Sequence, residues 1–159
     1  LVKTSKRDGA GSVAIVFTSG GFMAIANLQT APGIGRIVSI ALMAFLGDPR
    51  RFRSGKQVAS YVGLVPRVFQ SGSSCRHGRI TKAGNRLLRT LMINAAWQAV
   101  RHDAWARALF DRVCGSATAT SRRKIAIVAV ARRLLVRCWA MMRDGQSWKR
   151  HDPPEEVAA

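Results

Sequence analysis

Apolar residues recur at helical spacing along most of this chain. Ile37, Ile40, Ala41, Ala44 and Phe45 follow the three-and-four rhythm of one helix face, and Gly47-Asp48-Pro49 predicts the stop. A shorter apolar patch, Ile25 to Leu28, precedes them. Ser54 is placed to cap a short helix carrying Val58, Ala59 and Val62, closed by Gly63. Pro66 to Gly78 reads as a polar loop with at most a short strand at Val68-Phe69-Gln70. Thr81 is the expected cap of a long helix with Leu87, Leu88, Leu91, Ala95 and Val100 inward, and His102 to Cys114 predicts another presenting Trp105, Leu109 and Val113. Small residues from Gly115 to Ser121 lead to a last helix. Its stripe is Ile127, Val130, Ala131, Leu134, Cys138 and Met141, flanked by Arg122, Arg123, Arg133 and Arg137. Residues 1–25 are rich in Gly, Ser and Thr without a clear period and are expected to be poorly ordered. The pattern predicts an all-α (mainly α) fold of five helices over 26–146, with a polar tail from 147 to 159.

Charge changes the picture most. The chain holds 26 Lys and Arg against 8 Asp and Glu, a net charge of +18 over 159 residues. No carboxylate lies between Asp48 and Asp103, an interval in which basic residues keep recurring. Such self-repulsion calls for a polyanion, and Lys and Arg that release counterions from a phosphate backbone are the ordinary solution. With 48% hydrophobic residues the chain can build a core, which excludes wholesale disorder. Its longest apolar runs, Ile37 to Leu46 and Ile125 to Ala131, fall short of the ~20 residues a bilayer span needs, so no membrane partner is expected. Cys75, Cys114 and Cys138 form no CxxC pair, which fits free thiols in a reducing cytoplasm. Cys75-Arg76-His77 lacks the second ligand pair of a zinc site, so no metal is expected in this chain. Of the four tryptophans, Trp97, Trp105 and Trp139 sit at core-like helical positions, and Trp148, beside Lys149 and Arg150, is expected to be exposed.

Two segments carry candidate chemistry. Ala31-Pro32-Gly33-Ile34-Gly35-Arg36, between two apolar helical patches, has the form of a helix-hairpin-helix motif. Its glycines could bring backbone N–H groups to a phosphate at the N-terminus of the following helix, with Ile34 as an apolar plug. An ordinary helix–helix turn has the same composition. Arg36, Arg50, Arg51 and Arg53 are nearby candidates for backbone contact, which positions a protein on a duplex without reading sequence. The second segment is the Ser/Arg loop, Gln70-Ser71-Gly72-Ser73-Ser74, followed by Arg76, Arg79, Lys82, Arg86 and Arg89 and preceded by Arg67. A serine attacking a phosphodiester needs cations on the phosphoryl oxygens and a base for its proton; His77 is the one titratable base close in sequence. A flexible turn is the plainer reading of such a composition.

Four blocks together are distinctive: Gly47-Asp48-Pro49-Arg50-Arg51-Phe52, Gly63-Leu64-Val65-Pro66-Arg67, Gln70-Ser71-Gly72, and Gly78 through Arg89. In order and spacing they resemble the C-terminal transposase domain of insertion-sequence-110-type transposases, relatives of the Piv-type DNA invertases. The likeness runs from about residue 27 to 145; residues 1–25 depart from it. The resemblance implies a serine transiently joined to DNA, here Ser71, with Ser73 and Ser74 as alternates. It also implies a structured guide (bridge) RNA, a homo-oligomer when full-length, and magnesium held by four acids of a separate N-terminal domain. The eight carboxylates here are dispersed, and Asp48 before Pro49 reads as a turn residue. The chain, which opens on Leu1, is therefore expected to be a partial copy with no cofactor of its own, binding DNA but not cutting it alone. The alternative from another class is a non-catalytic helix-hairpin-helix nucleic-acid-binding module.

Overall fold

A computed structural model describes residues 19–71, 74–115 and 119–149; the side chains of 19, 20, 69, 70 and 74–77 fall outside that description. The described residues form six α-helices and one β-hairpin: α1 (Ser19–Gln29), α2 (Arg36–Leu46), α3 (Gly55–Val62), β1 (Pro66–Ser71), β2 (Ser74–Ile80), α4 (Arg86–His102), α5 (Ala104–Cys114) and α6 (Thr120–Asp144). A 3-10 turn, Pro49–Arg51, links α2 to α3. The fold is mainly α, as expected, with one helix more than the pattern predicted.

Helix α6 is the spine. Its 25 residues run roughly 37 Å, enough to meet α1, α3, α4, α5 and the 3-10 turn at successive levels. The predicted stripe is the buried one, with Val130, Leu134 and Cys138 fully enclosed. Trp139 adds a polar tie: 4% exposed, it donates its indole N–H to the Pro49 carbonyl at 2.8 Å. That bond anchors the 3-10 turn, which Asp48 caps by accepting from the Arg50 N–H at 2.9 Å. Asp48 is thus the turn residue the sequence predicted.

Caps relocate two helix starts. Thr81 does not cap α4; Asn85 does, accepting from the Leu88 N–H at 3.0 Å. The intervening residues are tied to the end of α3, because a Cβ on Gly84 (φ +82°) would overlap the Tyr61 carbonyl oxygen. Ser54 occupies the N-cap position of α3 without a side-chain bond, and Gln57 reaches back instead, its Oε1 accepting from the Arg53 N–H at 2.8 Å. Asp103 closes α4 and opens α5, accepting from the Ala106 N–H at 3.1 Å.

Several faces are rotated from the prediction. In α4 the buried set is Leu88, Met92, Ala95, Ala96 and Ala99, with Leu87 exposed; in α5 it is Ala106, Phe110 and Cys114, with Trp105, Leu109 and Val113 only half-buried. Ile37 is 73% exposed although it fits the apolar rhythm of α2. A helical period leaves the stripe's phase open by one residue, and small alanines take the innermost positions where helices approach most closely. Residues 19–25, read as lacking a period, belong to α1.

The predicted polar tail is partly docked. Asn27 Nδ2 donates to the Gly145 carbonyl (3.0 Å), the Ser147 hydroxyl to Asn27 Oδ1 (3.1 Å), and the Trp148 N–H to Thr30 Oγ1 (2.8 Å). Trp148, expected to be exposed, is half-buried edge-on against Trp105 at 5.4 Å. The Arg137 guanidinium lies 4.4 Å from both ring centroids. Burial, only partly offset by the charge of Asp103, holds the Arg137 pKa below the usual arginine value. Two cation–π partners, the edge-on pair of rings that the guanidinium caps, are what make a half-buried arginine tolerable there.

Candidate nucleic-acid interface

The segment read as a polar loop is an antiparallel hairpin, and this is the main correction to the sequence reading. Its register pairs Val68 with His77, Phe69 with Arg76, Gln70 with Cys75 and Ser71 with Ser74. Between Pro66↔Ile80 and Val68↔His77, β2 spends one residue more than β1, a bulge at Gly78-Arg79 of the kind that bends and twists a ribbon. Polar residues on both faces hide such a strand from an alternation test. The signal that would have found it is Gly72-Ser73, a two-residue pair of hairpin type between two runs of β-tolerant residues.

The two strands pack on one another and hardly at all on the helices, so the ribbon projects. Among the described residues its two legs are tied together at the base, where the Thr81 N–H donates to the Val65 carbonyl (2.9 Å) and the Arg67 guanidinium to the Thr81 carbonyl (3.4 Å), and the Lys82 N–H donates to the Gly63 carbonyl at the end of α3 (3.3 Å). Ser71 is exposed in the last strand pair, about 17 Å of strand from Pro66. Ser73 lies outside the described residues, as do the side chains of Ser74, Arg76 and His77, the proposed base.

Beside the ribbon base runs a groove of about 1650 Å³ between α3, β2 and α6. Its floor is aliphatic, from Leu64, Ile80, Leu109, Ile125, Val128 and Val136. Its rim is cationic: Lys56, Arg79, Lys82, Lys124, Arg132 and Arg133. Of these, the sequence singled out Arg79 and Lys82 for phosphate contact. The other four come from elements distant in sequence, and nothing short of the tertiary fold brings them together. No carboxylate and no aromatic ring is among the described residues that line it.

The remaining candidates divide by environment. Arg36, Arg50, Arg53 and Arg86 are exposed. Arg51 is exposed too, but its guanidinium sits 4.5 Å from the Phe52 ring centroid and 4.7 Å from that of Tyr61. Arg89, expected to share a phosphate-binding face with Arg86 and Lys82, is turned inward. It is half-buried and donates to the Val62 carbonyl at 3.0 Å and the Ala83 carbonyl at 3.3 Å. A guanidinium spent on two main-chain oxygens serves as a strut between α3 and α4.

The Pro32-Gly33-Ile34-Gly35 turn does join two helices, and Ile34 is 4% exposed, as the plug reading requires. Gly33 (φ +75°), however, faces protein. A Cβ there would overlap the Ala95 carbonyl oxygen and stand 3.0 Å from the Ala99 nitrogen. The Ile34 N–H is engaged as well, donating to the Ala31 carbonyl at 3.1 Å. The close backbone approach that Gly33 permits is therefore to α4. Gly35, at the N-cap of α2, has open space around it.

The described carboxylates are committed or isolated. Asp48 and Asp103 cap helices, and Asp144 pairs with Arg143 at 2.7 Å, which lowers its pKa and raises that of Arg143. Among the described residues no group of three His, Cys, Asp or Glu gathers to hold a metal ion. Nor is any described helix long and apolar enough to cross a membrane.

The model of the Transposase IS116/IS110/IS902 family matches residues 25–111, more than half of the chain. The chain belongs to this family. It is 31% identical over 132 residues to the putative transposase y4pF/y4sB of Sinorhizobium fredii, covering 77% of this chain and 32% of that protein. It is 46% identical over 77 residues to a probable family 20 transposase of Pseudomonas aeruginosa, covering 48% of this chain and 23% of that one. The pilin gene-inverting protein of Moraxella lacunata is 40% identical over 70 residues, 43% of this chain and 22% of that protein. The chain thus spans a third or less of the relatives it matches. The matched region includes the ribbon, the 3-10 turn, the glycine turn and α4, which ties these features of the fold to the family.

Proposed function

We propose that this chain is the DNA-binding, nucleophile-bearing part of a transposase or site-specific recombinase, acting in DNA transposition, with Ser71 as the nucleophile. The observation that supports it most is the position of Ser71: exposed in the last pair of a ribbon that stands off a basic helical body. A two-stranded ribbon is narrow enough for the major groove of B-DNA. A hydroxyl near its end can reach a backbone phosphate while the helices stay outside, with Arg36, Arg50, Arg53, Arg79, Lys82 and Arg86 available to neighbouring phosphates. The family, and a relative named for inverting a gene, support the same reading.

The step is a transesterification. The Ser71 hydroxyl loses its proton and its Oγ bonds to phosphorus, while the bond from phosphorus to the leaving deoxyribose oxygen breaks and that oxygen takes up a proton. One phosphodiester replaces another, so the energy of the broken link is kept in the protein–DNA bond for resealing. Cations beside the phosphoryl oxygens offset the charge that builds there. Magnesium does not fit the described carboxylates of this chain, so DNA cleavage by this polypeptide alone is not expected. A guide RNA and homo-oligomerisation belong to the same proposal and rest on family resemblance.

The test transfers residues 26–146 into a longer relative in place of its own matching region and compares Ser71 with Ser71→Ala. Loss of the SDS-resistant protein–DNA adduct, with DNA binding kept within about twofold, is the expected result. An adduct that survives in Ser71→Ala refutes Ser71 and passes the role to the alternates Ser73 and Ser74; a Ser71 graft that binds DNA but forms no adduct favours the second reading, a non-catalytic binding module gripping phosphate at the open α2 N-terminus around Gly35 and Arg36.

A further inference from the structure

We infer that the groove between the ribbon base, α3 and α6 is a docking site for an acidic amphipathic helix of a partner protein. The first ground is shape and chemistry. Six aliphatic side chains line the groove: Leu64 is buried, Ile80, Leu109, Val128 and Val136 are half-buried, and Ile125 is 57% exposed, a large apolar side chain left uncovered. Clustered exposed apolar surface rimmed by polar groups marks a partner site more often than an accident of packing. The volume, about 1650 Å³, exceeds the roughly 300–1,000 Å³ of small-molecule sites and suits two or three turns of a helix laid lengthwise.

Charge then selects the partner. Of the six cations around the groove, Arg79 and Lys82 stand on the side proposed to face DNA; Lys56, Lys124, Arg132 and Arg133 remain for the partner, and no described carboxylate lines the groove. On α6, Lys124 and Arg132 are eight residues apart, about 12 Å along the axis. A helix lying alongside repeats one face at nearly the same interval, so acids flanking its apolar stripe meet both cations at once. Nucleic acid fits less well, because unpaired bases bind by stacking on aromatic rings, of which the described lining has none, and a duplex offers no apolar ridge. A second copy of the described fold fits less well too. Asp48 and Asp103 serve as caps, Asp144 pairs with Arg143, and none of the described helices presents an acidic face.

The experiment uses the full chain and two fluorescein-labelled 18-residue peptides of identical composition. In one, leucines fall at i, i+3, i+4 and i+7 with glutamates on the flanks; in the other, the same residues are dispersed around the helix. Fluorescence anisotropy should give at least tenfold tighter binding for the first, and Ile125→Glu should abolish that preference. Lys124→Glu with Arg132→Glu should weaken the first peptide at least tenfold, and unchanged circular dichroism of each variant shows that the fold is kept. Equal affinity for both peptides, or indifference to Ile125→Glu, overturns the inference, since charge alone then explains binding. It is equally overturned if a labelled oligo-dT loses as much affinity on Ile125→Glu as the amphipathic peptide does, or if sedimentation shows a dimer that Ile125→Glu dissolves. None of these outcomes bears on Ser71.

Discussion

Replacing Gly33 by alanine separates two meanings of the glycine turn. If the turn exists to hold a phosphate, the substitution harms DNA binding; if it exists to seat α1 and α2 on α4, it harms stability. The added methyl would meet the Ala95 carbonyl oxygen and stand 3.0 Å from the Ala99 nitrogen, both parts of a helix backbone that cannot step aside. The φ of +75° by itself costs an alanine about 1–2 kcal/mol. Forcing a methyl into a packed interface adds about 1–3 kcal/mol. Together they predict a loss of about 2–5 kcal/mol, a large share of the ~5–15 kcal/mol that holds an ordinary domain together. For a chain of this size that lowers Tm by roughly 4–20 °C. Urea titration followed by tryptophan fluorescence reads the loss directly. Gly35→Ala is the control: its surroundings are open and its φ is ordinary, so it should cost no more than about 1 kcal/mol, the preference of an N-cap for glycine over alanine. A Gly33→Ala protein that keeps its urea midpoint but binds DNA weakly would refute the packing account and return the turn to the phosphate.

Three further outcomes follow from the same contacts. Arg89→Ala should destabilise the fold by about 1.5–3 kcal/mol, the worth of charged hydrogen bonds to main-chain oxygens, while Arg86→Ala leaves stability within about 0.5 kcal/mol. The reverse ranking in thermal melts would place Arg89 on the surface. Trp148→Ala removes an aromatic pair and one of the two rings that face Arg137, for a loss of about 1–3 kcal/mol in urea titration, and an unchanged midpoint would mean that residues 145–148 are not docked. The Cys138 thiol is pushed up to about 12 by burial, with the charge of Arg137 opposing. An unfolded chain ionises it near pH 8.5, so its contribution is whole below that pH and is lost as pH rises toward 12. Relative to Cys138→Ala, the natural chain should therefore lose about 1.4 kcal/mol more per pH unit between pH 9.5 and 11. Parallel slopes for the two proteins would show that the thiol is not enclosed.

The sequence by itself determined the mainly helical class, the α6 stripe, the Asp48 turn, the Gly63 stop and the family, because each depends on local periodicity, on one residue's backbone preference, or on an order of short motifs. It also marked Ser71, through resemblance. Only the tertiary structure decided what individual side chains are for. Arg89 and Arg86 are alike in composition and three residues apart, yet one is a strut and the other is exposed, a difference set by the Val62 and Ala83 carbonyls that the fold brings within reach of Arg89. Gly33 looks like a phosphate turn until α4 arrives beneath it. Trp148, among basic residues, is drawn in by Trp105 and Arg137 from elsewhere in the chain. The ribbon escaped because a hairpin with polar residues on both faces has no apolar alternation to betray it. The groove escaped because its rim is gathered from α3, β2, the 81–85 segment and α6, and a charge pattern becomes a surface only when the chain has folded.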